Sequence, residues 1–371
     1  MTGLRKTIAV VAGDGIGPEV IRAAISVLQE CARAFGHQFQ FVDLLFGGDA
    51  IDRCGHPLPA ETLDACRKAD AVLLGAVGGA KWDSQPLDRR PEAGLLSLRK
   101  ELGLYINVRP IKLFEPLRDI CPVRLSEHES IDMEIVRELA GGIYFGPRKI
   151  TGSNGDQTAS DTEIYSSKEI ERVALYAFRR AVARGKRLAS IDKANVLASS
   201  RLWRATVGRI SGDFPEVSLE SLYVDNAALQ LILRPAQFDV MLTSNMFGDI
   251  LSDEAAALAG SIGLIPSMSL GNGAALYEPI HGSAPQLAGK DSADPVGAIL
   301  CAAMMLRESF DLNREAAAIE FSVDMVLNAG LRTPDIARAH SRVVSCSAMA
   351  SEIRTALAAS AVETETYGWG V

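Results

Sequence analysis

The stretch Thr7-Ile8-Ala9-Val10-Val11-Ala12-Gly13-Asp14-Gly15-Ile16-Gly17-Pro18-Glu19-Val20 decides how the chain is read. Residues 7–12 are apolar and rich in β-branched side chains, which predicts a strand. Gly13, Gly15 and Gly17 predict a tight turn. Pro18 suits the first turn of a helix, where its missing N–H would have had no partner. Working outward, residues 18–35 carry a helical pattern, 39–45 a second strand, 61–68 a helix and 71–75 a third strand. Strands and helices alternating in this way imply parallel strands joined by helical crossovers, and so an α/β fold. The glycine-rich turn fits two descriptions. With Asp43 ending the next strand it resembles a dinucleotide-binding fingerprint, but its glycines are spaced GxGxG rather than GxGxxG, which favours a plain tight turn.

Beyond residue 130 the pattern changes. Residues 131–137 alternate strictly, and 141–146 and 149–150 read as further short strands, which predicts a second, partly antiparallel unit. Helical patterns return at 167–184, 200–207, 226–233 and 247–259, each after a short apolar strand, and then at 296–310, 314–328 and 348–357. Residues 255–277 carry no charge. They hold Gly260, Gly263, Pro266, Gly271 and Gly273, which is turn chemistry rather than a membrane-spanning helix.

At 371 residues the chain has the length of two domains at roughly 150 residues each. With 48% apolar and 23% charged residues it reads as a folded globular protein, not a disordered or disulfide-scaffolded one. Lys and Arg number 38 against 46 Asp and Glu, a net charge of -8, so no general attraction draws the surface to nucleic acid or anionic lipid. Any anionic ligand must meet a local basic cluster. The first residues do not form a secretory segment, so the cytoplasm is expected. Cys31, Cys54, Cys66, Cys121, Cys301 and Cys346 show no metal spacing and are expected to be reduced thiols without chemistry.

Several constellations carry chemistry. Glu92, Leu95, Leu96 and Arg99 fall at i, i+3, i+4 and i+7 and share one helical face. Ordinary amphipathic packing explains the leucines. A face ending in Arg also suits an apolar substituent beside a carboxylate. Arg109 and Arg137 are candidate partners, although each alone reads as a surface residue. Asp249 and Asp253 lie four apart on one helical face, where like charges repel and a hard divalent cation with oxygen ligands would offset the repulsion. The other description is a solvated acidic helix. Asp225, at a strand-to-helix junction, is either a helix N-cap or a third ligand. Lys193 sits where an apolar run meets a loop, a place in which a lysine can move protons, although a surface lysine is the ordinary case. No GxSxG elbow, P-loop or HExxH appears, so hydrolase and NTPase chemistry have no anchor.

Taken together, these segments resemble the β-decarboxylating dehydrogenases, the family of isocitrate and isopropylmalate dehydrogenases. The resemblance runs nearly end to end. It rests on residues 13–20, 102–110, 136–138, 141–146, 192–197, 224–228, 245–254 and 276–285. It implies a two-domain α/β fold, not a Rossmann fold, with a parallel-rich sheet flanked by helices and a second α/β domain with partly antiparallel strands. Residues 1–104 and 260–371 would form a discontinuous domain on the cofactor side. Residues 105–259 would carry the metal, catalytic and dimer-interface groups.

The implied reaction is metal-dependent oxidation of a 2-hydroxy acid by hydride transfer to NAD, followed by decarboxylation. For the isopropylmalate-oxidising members this converts 3-isopropylmalate to 4-methyl-2-oxopentanoate and CO₂ in leucine biosynthesis. By the resemblance, Arg99, Arg109 and Arg137 bind the substrate carboxylates, and Leu95 and Leu96, with Glu92 on the same face, meet the isopropyl group. Asp225, Asp249 and Asp253 would hold Mg²⁺ or Mn²⁺. Asp225 would also touch substrate. Lys193 would help to take the hydroxyl proton and Tyr144 to reprotonate the enol carbon. Lys193 and Asp225 would reach the site from the other subunit of a homodimer. The cofactor would lie on Gly78, Gly79, Lys81, Trp82, Asn195, Glu278, His281, Gly282, Ser283, Ala284, Pro285, Gln286 and Asp294, which leaves residues 13–17 a structural part. Four positions depart from the family pattern. Gln286 replaces the usual Asp and Asp294 the usual Asn, which bears on NAD against NADP. Ala80 replaces a Pro and Ala140 a Thr. A sister enzyme for D-malate or tartrate would gain nothing from Leu95 and Leu96. A catalytically silent regulatory subunit would have lost catalytic groups that this chain keeps.

Overall fold

The computed structural model describes residues 3–153 and 155–367, with side chains up to residue 360. The chain divides into two compact units. The first comprises residues 1–104, 114–121 and 259–371, and the second 105–113 and 122–258.

In chain order the elements of the first half are β1 (Arg5–Gly13), α1 (Gly17–Phe35), β2 (Gln38–Asp43), α2 (Gly47–Cys54), α3 (Ala60–Lys68), β3 (Ala71–Ala76), α4 (Pro91–Glu101), β4 (Leu104–Lys112), β5 (Asp132–Glu138), β6 (Arg148–Ser153), β7 (Asp156–Asp161) and α5 (Ser167–Ala183). Then follow β8 (Arg187–Asp192), α6 (Ala198–Ile210), β9 (Ser218–Tyr223), α7 (Val224–Leu233), β10 (Val240–Thr243), α8 (Asn245–Leu258), β11 (Pro266–Gly271), β12 (Ala275–Pro279), α9 (Val296–Phe310), α10 (Asn313–Asn328), β13 (Leu331–Arg332), β14 (Arg342–Val343) and α11 (Cys346–Tyr367).

In the first unit the strands run in the order β2, β1, β3, β12, β11. All neighbours are parallel except β11 and β12. The buried run Ile8, Ala9, Val10 and Val11 of β1 and the wholly buried run of β3 put this sheet in the core. α9 is apolar on nearly every side, and all but three of its residues are buried, as an inner helix requires. In the second unit the order is β4, β5, β10, β8, β9, with only β4 and β5 antiparallel. α5 starts at a capping box, in which the Ser166 hydroxyl accepts the Glu169 N–H and the Glu169 carboxylate takes the Ser166 N–H at 2.7 Å. The hairpin of β6 and β7 is exposed along its length.

Parallel crossovers and a partly antiparallel second unit are what the sequence pattern implied. Three segments differ. Residues 142–144 form a single 3-10 turn instead of a strand, because Gly142 sits at φ 78° and the buried Glu138 carboxylate gathers the N–H groups of Ala140 and Gly141. α2 was hidden by its Gly-Gly start and its short length. The uncharged 255–277 stretch folds as the end of α8 and the strands β11 and β12. No helix among the described residues is long and apolar enough to cross a membrane. All six cysteines are free thiols, and burial pushes those of Cys31, Cys66 and Cys346 up to about 12.

Candidate active site

In the second unit, parallel strands β5 and β10 end beside one another, and α8 starts directly after β10. This brings Arg109 of β4 and Arg137 of β5 against one face of α8. Both arginines are buried, at 7% and 3% exposure, rather than on the surface. Arg137 gives Nη1 to Asp249 Oδ1 at 2.5 Å, and its Nε and Nη2 both donate to Asn245 Oδ1, at 3.1 and 2.8 Å. Arg109 bonds Asn107 and Ser252, at 2.9 and 2.6 Å, and its Nη1 lies 3.3 Å from Asp253 Oδ1. The Tyr144 hydroxyl donates to the second oxygen of Asp249 at 3.0 Å. Burial, followed by the negative charge of Asp249, pushes this phenol up, so it keeps its proton.

The carboxylates of Asp249 and Asp253 thus share a helix face with fixed positive charge behind them. Burial raises the Asp253 carboxyl, the neighbouring guanidinium groups oppose the shift, and its side chain is still 60% exposed. Such hard oxygen donors suit a divalent cation. They are only two. Among the described residues no three His, Cys, Asp or Glu side chains are grouped to hold a metal, so Asp225 of the same chain does not join them. Asp225 pairs with Lys193 at 2.5 Å, and the ammonium holds its largely exposed carboxyl below the usual range. It is not a helix N-cap. α7 starts at Val224, and Asp225 lies within its first turn.

In the first unit, α4 carries the Glu92, Leu95, Leu96 and Arg99 face. Leu98 is the residue that fills the core, at 0% exposure, whereas Leu95 and Leu96 are only half-buried and Glu92 is exposed. Arg99 pairs closely with Glu278 of β12, and its Nε is buried with no partner. Gly78 and Gly79 have φ of 100° and 155°, and a Cβ at Gly78 would lie 2.4 Å from Glu92 Oε1. Lys81 and Trp82 both bond Asp52 on α2, at 2.5 and 3.2 Å. His281 bonds the Gly282 carbonyl through Nδ1, and its buried Nε2 has no partner. Burial pushes this imidazole down, towards the neutral form. Gly282, Pro285 and Gln286 are exposed, Ser283 is buried, and Ala284 takes a positive φ of 37°. Asp294 is buried. Its Oδ1 accepts the Val296 N–H, and burial together with the nearby Asp335 pushes its carboxyl well above the usual range against the opposing Val296 N–H and Thr333 hydroxyl. An unused ring nitrogen on His281 and side-chain-free backbone at Gly78 and Gly79 are the kinds of group that suit a polar, flat ligand such as a nicotinamide nucleotide. Asn195 of the second unit is exposed.

Asn107, Glu138, Tyr165, Asn245 and Ser252 join the site without a sequence motif that marks them. Asn245 joins Arg137 to the Gly141 carbonyl, and its own N–H is taken by the Tyr165 hydroxyl. Its signal was present in the spacing, since Asn245, Asp249 and Ser252 recur at i, i+4 and i+7.

The sequence profile of isocitrate/isopropylmalate dehydrogenase matches residues 7–353. The chain is 52% identical over 358 residues to the 3-isopropylmalate dehydrogenase of Bacillus licheniformis, covering 96% of each chain. It is 53% identical to that of Geobacillus kaustophilus, covering 94% of this chain and 95% of the other. Among solved structures it is similar to isocitrate dehydrogenase from Methylococcus capsulatus, with a TM-score of 0.85, 32% identity and coverage of 95% of this chain and 99% of that one. It is also similar to a β-decarboxylating dehydrogenase from Thermococcus kodakarensis, with a TM-score of 0.79, 35% identity and 99% coverage of both chains. The chain belongs to the isocitrate/isopropylmalate dehydrogenase family.

Proposed function

We propose that the protein oxidises 3-isopropylmalate with NAD as hydride acceptor and releases CO₂ and 4-methyl-2-oxopentanoate, in leucine biosynthesis in the cytoplasm. The observation that carries this reading is the pair of buried guanidinium groups, Arg109 and Arg137, set behind the carboxylates of Asp249 and Asp253. The three arginines Arg99, Arg109 and Arg137 take the two substrate carboxylates, for which forked donors are suited. Leu95 and Leu96, half-buried and not needed for the core, meet the isopropyl group, and Glu92 lies on the same face. A malate or tartrate substituent would leave these leucines without a contact. The partner subunit's Lys193, in its amine form, helps to take the hydroxyl proton. Tyr144, whose phenol is held protonated, returns a proton to the carbon that loses CO₂. A divalent cation on Asp249, Asp253 and the partner subunit's Asp225 would supply Lewis-acid polarisation of the C2 oxygen, and a bound NAD the hydride acceptor.

The residues 1–104 and 260–371 make up the cofactor domain in this reading, and 105–259 the metal and catalytic domain. Gly78, Gly79, Lys81, Trp82, Asn195, Glu278 and the 281–286 stretch with Asp294 bind NAD. NAD is favoured over NADP because the sequence around Gln286 shows no Lys/Tyr clamp for a 2′-phosphate; Asp294, held towards its neutral form, gives little repulsion. A homodimer is supported by two features. Asp225 and Lys193 are paired apart from the other acidic ligands. α7 and α8 expose Leu229, Ile232, Leu233 and Ile250 at 46–61%.

The test is initial-rate reduction of NAD⁺ and NADP⁺ with 3-isopropylmalate, D-malate and isocitrate, with and without EDTA. Rapid NAD⁺ reduction with 3-isopropylmalate, abolished by EDTA and restored by Mg²⁺ or Mn²⁺, is expected. Faster turnover of D-malate, or turnover indifferent to EDTA, would overturn the reading.

A further inference from the structure

The glycine-rich turn at residues 13–17, which the family resemblance leaves as a structural part, carries a buried carboxylate that no step of the reaction uses. Asp14 is 4% exposed. Its Oδ2 accepts the N–H of Gly48 and that of Gly78, both at 2.9 Å, and its Oδ1 the N–H of Asp49 at 3.0 Å. Gly48 and Asp49 belong to the first turn of α2, whose capping residue Phe46 makes no side-chain cap bond. Asp14 therefore supplies the missing N-cap from another loop. α2 in turn carries Asp52, which holds Lys81 and Trp82. One carboxylate thus fixes the 78–82 stretch at both ends, directly at Gly78 and through α2 at Lys81 and Trp82.

The same turn reaches the second cofactor stretch. Ile16 donates its N–H to the Ser283 carbonyl at 2.8 Å, and Gly15, at φ 58°, lies so close that a Cβ there would sit 1.9 Å from that oxygen. Asp14 itself gives its N–H to the Ala76 carbonyl at 2.7 Å, two residues before Gly78. Residues 14–16 are the point at which the 78–82 and 281–286 stretches are tied to one piece of backbone.

We infer that Asp14 is a positioning residue for the nicotinamide cofactor, setting the spacing between the two stretches that hold it. This rests on the reading of those stretches as the cofactor site. A carboxylate is required because the three donors converge on it from two sides. An amide of the same shape turns an N–H towards at least one of them, leaving donor against donor.

The experiment compares wild type with Asp14→Asn by hydrogen exchange and by NAD⁺ binding, the latter through calorimetric titration without substrate. Exchange should speed up in peptides covering 46–50 and 77–83 and stay unchanged in α9 and in the second unit. NAD⁺ affinity should fall tenfold or more, with the KM for 3-isopropylmalate at saturating NAD⁺ moving less than twofold. Unchanged exchange at 46–50 and 77–83 would overturn the clamp. Faster exchange there with unchanged NAD⁺ affinity would overturn its role for the cofactor. If the wild type itself does not bind NAD⁺, the cofactor reading fails, while the exchange result still judges the clamp. Asp14→Ser, which keeps one acceptor and admits water, replaces the Asn variant should that one not fold, with the same outcomes expected.

Discussion

The two regions that carry the expected chemistry are built by opposite means. In the second unit, Arg109, Arg137, Asp249, Asn245 and Tyr144 hold one another through their side chains, with charge against charge over 2.5–3.4 Å. In the first unit the 78–82 and 281–286 stretches are tied by backbone at Gly78, whose N–H meets Asp14, and at Ser283, whose carbonyl lies where Gly15 has no side chain, with Lys81 and Trp82 held on Asp52. A side-chain network is sensitive to what each group is. A backbone cradle is sensitive to where the chain runs. Substitutions in the first should therefore act on turnover, and substitutions in the second on binding of the cofactor.

The largest effect tests the first half of that contrast. Arg137→Lys keeps the charge near Asp249 but loses the fork by which Nε and Nη2 together engage Asn245. We expect kcat/KM for 3-isopropylmalate to fall about 10³-fold, about 4 kcal/mol of transition-state stabilisation, with NAD⁺ affinity within a factor of two. Retention of more than a tenth of the wild-type kcat/KM would mean that charge alone suffices and that the geometry of the network is incidental.

The same contrast explains what could be read beforehand. Asp249 and Asp253 were visible because a helix puts residues four apart on one face, and the α4 face of Leu95, Leu96 and Arg99 was visible for the same reason. Parallel crossovers followed from alternating strands and helices. Asn107 and Ser252 were not visible, since each acts only by facing Arg109 across long sequence separation or from a neighbouring strand position. The role of Asp14 was hidden too, because its partners are main-chain N–H groups 34 to 64 residues away and a main-chain N–H has no residue type. Residues 141–146 read as a strand because Ile143, Tyr144 and Phe145 favour one. The buried Glu138 and the positive φ of Gly142 override that local preference.

A smaller, conditional effect concerns the pair Lys193 and Asp225, which belongs to neither network. If these groups serve a second copy of the chain, activity must follow assembly. The double variant Leu229→Asp, Ile232→Asp puts charge on the exposed apolar face of α7 and leaves Lys193 and Asp225 in place. Size-exclusion chromatography should show a shift from dimer to monomer, with specific activity falling at least tenfold at nanomolar enzyme and recovering in part as concentration rises. A fully active monomer would place the whole site in one chain.

The smallest expected effect lies within the cradle and is read as stability. Asp294 has its folded carboxyl raised well above 3.8 by burial and by Asp335, which outweigh the Val296 N–H and the Thr333 hydroxyl. A raised folded value means that the fold binds this proton more tightly than the unfolded chain does. The stability tied to the protonated group is therefore complete below about pH 4, where both states carry the proton, and is lost as pH rises from there towards the folded group's own titration. Asp294→Asn has the same shape and no such proton. Its melting temperature should match wild type near pH 4 and exceed it by about 1–3 °C at pH 7–8, the shift expected of about 1–2 kcal/mol in a chain of 371 residues. A variant less stable at pH 8 than wild type would show that the charged carboxylate has a partner in the fold. The cradle would then be held by charge as the second unit is, and the contrast between the two regions would lose its basis.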